Sequence, residues 1–142
     1  MTPRSRTITA AVAACLATLG AVAAGDALDP MPSRVFDWHA QPEQATAVGA
    51  RRPFFRGETA ALGELEAHVT TILPGNEPHP PHRHVNEELI VVLRGTIAVT
   101  IEQSTDTIGA GSSVFLAPND FHGLRNVGGE PAAYYIIQMR GR

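Results

Sequence analysis

One stretch of the sequence, Pro74 to Gly95, constrains the fold more than any other part of the chain. Its prolines are incompatible with a helix interior and favour an extended backbone. Side chains alternate between two faces on an extended chain, so His82, His84 and Glu88 point the same way and Glu87 points the other way. Two imidazoles and one carboxylate on a common face are good ligands for a divalent metal. The stretch therefore predicts β-structure that carries a metal site.

The rest of the sequence also favours short strands over helices. The chain has 142 residues, which is enough for one domain, and it contains 13 glycines and 11 prolines. Apolar and polar residues alternate over several short runs that are separated by turn residues. The runs that predict strands are residues 51–56, 64–73, 89–93, 96–102, 112–118, 121–126 and 132–139. This pattern predicts an all-β sandwich or small barrel, with the domain beginning at Arg51.

The metal-binding face is expected to point into an apolar interior. Arg94-Gly95 fits a two-residue hairpin turn, which would place Glu88 opposite Ile101 on the apolar side of the next strand. By alternation and position, the walls of this interior are expected to include Ile90, Val92, Ile97, Val99, Phe115 and Leu116. In the run 64–73, the same reasoning puts Leu65 on the core side and leaves His68 in solvent.

Two groups of residues resemble the motifs of the cupin superfamily. His82-Arg83-His84, then Glu88 and Gly95, are similar to its first motif, and residues 111–126 (GSSVFLAPNDFHGLRN) are similar to its second. The second match is imperfect, because Pro118 falls one place late and Asn119 replaces a glycine. The resemblance implies a single jelly-roll β-barrel that binds one metal ion inside. Carried over by position, the metal ligands are His82, His84, Glu88 and His122.

The ligand types leave the metal and the reaction open. Imidazole and carboxylate suit Fe, Mn, Ni, Cu or Zn, and the four ligands would leave coordination positions for a small-molecule substrate. The first hypothesis is a metalloenzyme with dioxygenase-like or isomerase-like chemistry. In that case Glu88 serves as ligand or catalytic base, His79 lies at the rim, and Arg56 or Arg125 holds a substrate carboxylate. The alternative is a non-catalytic module that binds a small ligand or a metal chelate.

The first 24 residues have the pattern of a signal peptide. Arg4 and Arg6 precede an uncharged, alanine-rich run, and residues 21–23 form an A-x-A cleavage site. The sequence thus predicts an exported protein, periplasmic or extracellular, with no stable membrane insertion after cleavage. A retained membrane anchor and lipidation at Cys15 are the alternatives. Residues 25–50 have little periodicity and several prolines, which predicts a linker or extended arm that could pair across a homodimer interface.

Charge and composition exclude some functions. The formal net charge is −3, and removal of Arg4 and Arg6 with the leader makes it more negative, which argues against nucleic acid as a partner. All 11 basic residues are arginines, so no lysine is present for Schiff-base chemistry. Cys15 is the only cysteine, and so the domain has no thiolate ligand and no internal disulfide.

Overall fold

The computed structural model describes residues 29–142, which form nine β-strands and no helix. The strands are β1 (Gln44–Thr46), β2 (Gly49–Gly57), β3 (Glu64–Ile72), β4 (Glu87–Arg94), β5 (Thr96–Ile101), β6 (Ser104–Gly109), β7 (Ser113–Leu116), β8 (His122–Asn126) and β9 (Ala132–Arg140). The expected signal peptide, residues 1–24, and the first residues of the expected arm lie outside the described residues. Among residues 29–142, no helix of the length and apolarity needed to cross a membrane is present.

Two antiparallel sheets make up the molecule, which confirms the all-β prediction. One sheet has six strands in the order β1-β2-β3-β9-β4-β7, and the other has three in the order β6-β5-β8. Their inner faces enclose a cluster of buried apolar side chains. A single backbone bridge, between His82 and His122, joins the segment before β4 to the first residue of β8. The architecture is that of a jelly-roll barrel with one interior.

The predicted hairpin between β4 and β5 is wrong. β4 pairs with β7 and β9, and β5 pairs with β6 and β8, so Glu88 does not lie opposite Ile101. The short connection is a corner that carries the chain from one sheet to the other. Gly95 makes this corner with a φ of +82°, and a Cβ there would stand 2.6 Å from the Cα of Ala132. The prediction of an apolar interior still holds, because β4 and β5 both contribute side chains to the same core.

The interior contains most of the predicted wall residues. Five of the six are buried: Ile90, Val92, Ile97, Val99 and Leu116. The sixth, Phe115, is 57% exposed, so its assignment to the wall is wrong. Neighbouring residues on a strand point to opposite faces, and on β7 the inward residue is Leu116.

The expectation that His68 is solvated is also wrong. Its side chain is buried, with the residue only 8% exposed, because both faces of β3 are covered. Glu66, His68 and Thr70 lie on the face of β3 that also carries the core residue Ile72. The opposite face, with Val69, belongs to a second apolar cluster outside the barrel. An alternating strand pattern identifies two faces, but it does not reveal that both are buried.

Residues before β2 cover the outer face of the six-stranded sheet. The Phe36 ring lies 4.8 Å from that of Phe55, and the Trp38 ring lies 5.9 Å from Phe54 and 6.3 Å from Tyr135, measured between centroids. β1 pairs with β2, which begins two residues before the expected domain boundary at Arg51. The described part of the expected arm therefore packs against the barrel.

Candidate metal centre

Three histidines from two segments of the chain meet at one place. One ring nitrogen from each of His82, His84 and His122 lies within 4.8 Å of the other two. Their ring centroids are 4.8 to 5.3 Å apart. His82 is partly exposed, whereas His122 is fully buried at the start of β8. The structure thus brings together three of the four residues that the sequence singled out.

Local backbone contacts hold the two segments together. The N–H of His82 donates to the carbonyl of His122, and the N–H of His122 donates back to His82, both at 2.9 Å. Gly123 follows directly, and a Cβ there would stand 2.7 Å from Pro81 Cγ, so only glycine lets the two segments approach this closely. Asn119 adopts a φ of +65°, which asparagine tolerates, and its N–H donates to the His84 carbonyl at 2.7 Å. Its replacement of a glycine therefore leaves the turn intact.

Hydrogen bonds to backbone carbonyls fix the orientation of two of the rings. Nδ1 of His84 lies 3.0 Å from the Asn86 carbonyl, and Nδ1 of His122 lies 2.9 Å from that of Asp120. A carbonyl only accepts, so each Nδ1 carries the proton and each Nε2 is left free to bind a metal. Nδ1 of His82 is buried and has no hydrogen-bond partner within residues 29–142.

Glu88 adjoins the three histidines but lies outside their tight cluster. It is 4% exposed, and its Oε2 lies 3.1 Å from His84 Nε2. The side-chain amide of Gln138 donates to the same oxygen at 2.7 Å, because the two residues are register partners on β4 and β9. Sequence reasoning missed Gln138, since nothing in the sequence indicates that β9 pairs with β4. Glu87 is exposed, as expected.

The environment keeps His82 in the form that binds metals. Burial lowers its pKa, and repulsion from the imidazoles of His79, His122 and His84 lowers the pKa further. A neutral imidazole is the form that ligates a metal ion.

The donor set fits a divalent cation. His84 Nε2 lies 3.1 Å from Glu88 Oε2, so an imidazole nitrogen and a carboxylate oxygen are close enough to bind one cation together. The Nε2 of His122 and the unpaired Nδ1 of His82 supply further nitrogen donors.

A cavity of about 200 Å³ adjoins this centre. Glu88 and His79 border it, whereas the three clustered histidines do not line it. His79 is exposed, and its ring lies 4.4 Å from that of His82, which agrees with the expected place at the rim. The polar residues of the lining that sequence reasoning missed include Arg51, His68, Thr70 and Tyr134.

The arginines expected at the mouth are engaged elsewhere. Neither Arg56 nor Arg125 lines the cavity. Arg56 pairs with Glu64 at 3.0 Å, and Arg125 Nε donates to the Gly75 carbonyl at 3.2 Å. The arginine that lines the cavity is Arg51.

Comparison with known proteins identifies relatives in sequence and in fold. Auxin-binding protein 1 of Arabidopsis thaliana is 31% identical over 88 residues, a match covering 56% of this chain and 44% of that protein. The matched region therefore spans less than half the length of that relative.

Solved structures of low identity share the fold. An RmlC-like cupin from Shewanella frigidimarina is 20% identical, with a TM-score of 0.63 over 78% of this chain and 94% of the other. The polyketide cyclase of Streptomyces resistomycificus is 18% identical, with a TM-score of 0.60 over 77% and 80%. An oxalate decarboxylase of Bacillus subtilis is 18% identical, with a TM-score of 0.63 over 80% of this chain and 31% of the enzyme.

The family model for the cupin domain Cupin_2 matches residues 68–138, which is half of the chain and contains the three clustered histidines and Glu88. With the two-sheet barrel and the structural relatives, this match shows that the chain belongs to the cupin superfamily.

Proposed function

We propose that the protein binds one divalent metal ion through His82, His84, His122 and Glu88 and is a metal-dependent enzyme that acts on a small oxygen-bearing molecule. The observation that carries the proposal is the convergence of three imidazole rings, each with a nitrogen within 4.8 Å of the others. The 3.1 Å separation of His84 Nε2 and Glu88 Oε2 supports it further, because it places a carboxylate beside these nitrogens.

Each residue of the centre has a distinct part in this function. A bound metal would polarise a substrate oxygen, because the four protein ligands would leave coordination positions that the substrate can occupy. His84 and His122 present Nε2 because backbone carbonyls hold their Nδ1 protons. Glu88 either ligates or accepts a proton at Oε2, and the Gln138 amide holds that oxygen in place in both roles. Dioxygenase-like and isomerase-like reactions both suit such a centre.

A non-catalytic binding protein is the second candidate. The relative from Arabidopsis thaliana is named as a binding protein, and two of the structural relatives are named as enzymes. Fold alone does not choose between these roles. A ligand that binds tightly and is recovered chemically unchanged would favour the binding protein.

The proposal is tested by metal content and turnover. Elemental analysis of the purified full chain is expected to give one Fe, Mn, Ni, Cu or Zn per chain, and chelation is expected to abolish turnover of small hydroxy-carbonyl compounds. Less than a tenth of an equivalent of metal, after supply of all five ions, would contradict metal binding. Full occupancy without turnover would contradict the enzyme and leave the binding protein.

We also propose that the protein is exported. The support is the pattern of residues 1–24, with the basic start, the apolar run and the A-x-A site. The mature protein is then expected in the periplasm or outside the cell, with its first residue near Gly25. N-terminal sequencing distinguishes cleavage there from a retained leader and from lipidation at Cys15.

A further inference from the structure

Apolar and polar residues both line the cavity beside Glu88. Ile72, Leu124 and Ile136 are among the apolar residues of the lining. Arg51 and Tyr134 lie among the polar residues of the lining. At about 200 Å³ it is smaller than the roughly 300–1,000 Å³ of pockets for drug-sized ligands, so it suits a compact organic molecule.

Tyr134 has a buried hydroxyl without a partner. The residue is 0% exposed, and its Oη makes no hydrogen bond to any residue from 29 to 142. Burial and the Glu88 carboxylate both raise the pKa of Tyr134, so the hydroxyl keeps its proton and remains a donor. An unpaired buried donor is costly, and a ligand oxygen in the cavity would remove that cost.

Two nitrogens of the Arg51 guanidinium have no hydrogen-bond partner among the described residues. Its Nη2 contacts the Glu66 carboxylate and lies 3.2 Å from His68 Nδ1, whereas its Nε and Nη1 make no hydrogen bond within the described residues. Glu66 also lies 3.5 Å from Arg56, so its negative charge is shared between two arginines. The ion-pair network around Arg51 consists of Arg51, Arg56, Arg140, Glu64 and Glu66. Three cations and two anions leave this network net positive.

We propose that the cavity binds a small carboxylic acid with an apolar body and a second oxygen, with Arg51 holding the carboxylate and the Tyr134 hydroxyl donating to the second oxygen. The spare donors of Arg51, the arginine in the lining, select an anion, and the apolar residues of the lining accept the body. The proposal names the substrate class of the proposed function and rests on it, because Glu88 joins the cavity to the metal centre.

Three related compounds test the two contacts separately. Mandelate has the carboxylate, an apolar ring and a hydroxyl; mandelamide lacks the charge, and phenylacetate lacks the hydroxyl. Calorimetric titration of the metal-loaded protein is expected to show mandelate binding about tenfold more tightly than either analogue. Arg51→Gln is expected to remove the preference over mandelamide, and Tyr134→Phe the preference over phenylacetate.

Matched controls separate these effects from a loss of folding. Arg94→Gln changes an exposed arginine outside the cavity lining, and Tyr135→Phe changes the neighbouring tyrosine that faces the outer cluster; both are expected to keep both preferences. If mandelate fails to bind protein that carries one metal per chain, or if the Arg51 and Tyr134 variants keep both preferences, the proposal is overturned. Loss of metal in the unmodified protein would instead overturn the proposed function. Weakened metal binding in Tyr134→Phe with unchanged ligand preferences would make Tyr134 a support for Glu88 and contradict its contact with ligand.

Discussion

Glu87 and Glu88 are adjacent residues with opposite surroundings. Glu88 is buried against His84 and Gln138, and Glu87 is exposed on the other face of β4. Glu88→Ala is therefore expected to lose stoichiometric metal binding, while Glu87→Ala keeps one metal per chain. Elemental analysis after dialysis against a weak chelator measures this. Equal losses in the two variants would contradict the assignment of Glu88 as a ligand.

His68 makes the stability of the protein depend on pH. Burial, aided by the positive charge of Arg51, lowers the pKa of His68 in the folded state despite the opposing carboxylates of Glu66 and Glu88. The unfolded chain has a histidine pKa of about 6.5, so below that pH it takes up a proton that the folded protein resists. The contribution of His68 to the free energy of unfolding is therefore complete above a pH of about 6.5. It decreases as the pH falls from there through the pKa of His68 in the folded state.

The contribution of His68 is isolated by substitution, because the chain contains five other histidines. His68→Gln is expected to lose less free energy of unfolding between pH 7.5 and pH 5 than the unmodified protein does. Denaturant unfolding at both pH values measures this. A larger loss in the variant would show that the pKa of His68 is raised by Glu66 instead of lowered.

The corner between β4 and β5 requires glycine. Gly95 has a φ of +82°, and a Cβ would meet Ala132 at 2.6 Å. Gly95→Ala is expected to cost about 1–3 kcal/mol, from strained backbone and displacement of β9. Gly129→Ala is the control, since a Cβ there meets nothing within 4 Å. Denaturant unfolding compares the two, and an equal effect would contradict a close approach at the corner.

Within a single segment, sequence alternation placed the candidate ligands on one face, but it did not predict contacts between different strands. His82, His84 and Glu88 lie on one extended run, so their common face follows from local geometry. Gln138 and Glu88 meet only because β9 pairs with β4, a contact between residues 50 apart in sequence. The inward face of β3 was misassigned for a related reason: the cover on its outer face comes from distant residues such as Phe36 and Trp38. β6 lies between the predicted strand runs 96–102 and 112–118, and it was missed for the same reason, since its strand character comes from pairing with β5.

At the scale of the molecule, the segment before β2 and the barrel are expected to unfold together. Trp38 is the only tryptophan and packs on Phe54 and Tyr135 of the six-stranded sheet, so its fluorescence reports on this segment. Its transition in denaturant is expected to coincide with that of far-ultraviolet circular dichroism. An earlier fluorescence transition would show that the segment detaches first. The homodimer stays a prediction, which light scattering can test.

The position of β9 has a consequence for how the protein is made. β9 is the last strand described, yet it lies between β3 and β4 in the middle of the larger sheet. During synthesis, strands β1 to β8 leave the ribosome before β9. Until β9 follows, β3 and β4 lack the strand that pairs with both of them, and Glu88 lacks the hydrogen bond from the Gln138 amide. The barrel thus closes only when this segment has left the ribosome, and a nascent chain arrested before Ala132 is expected to lack the completed candidate metal centre.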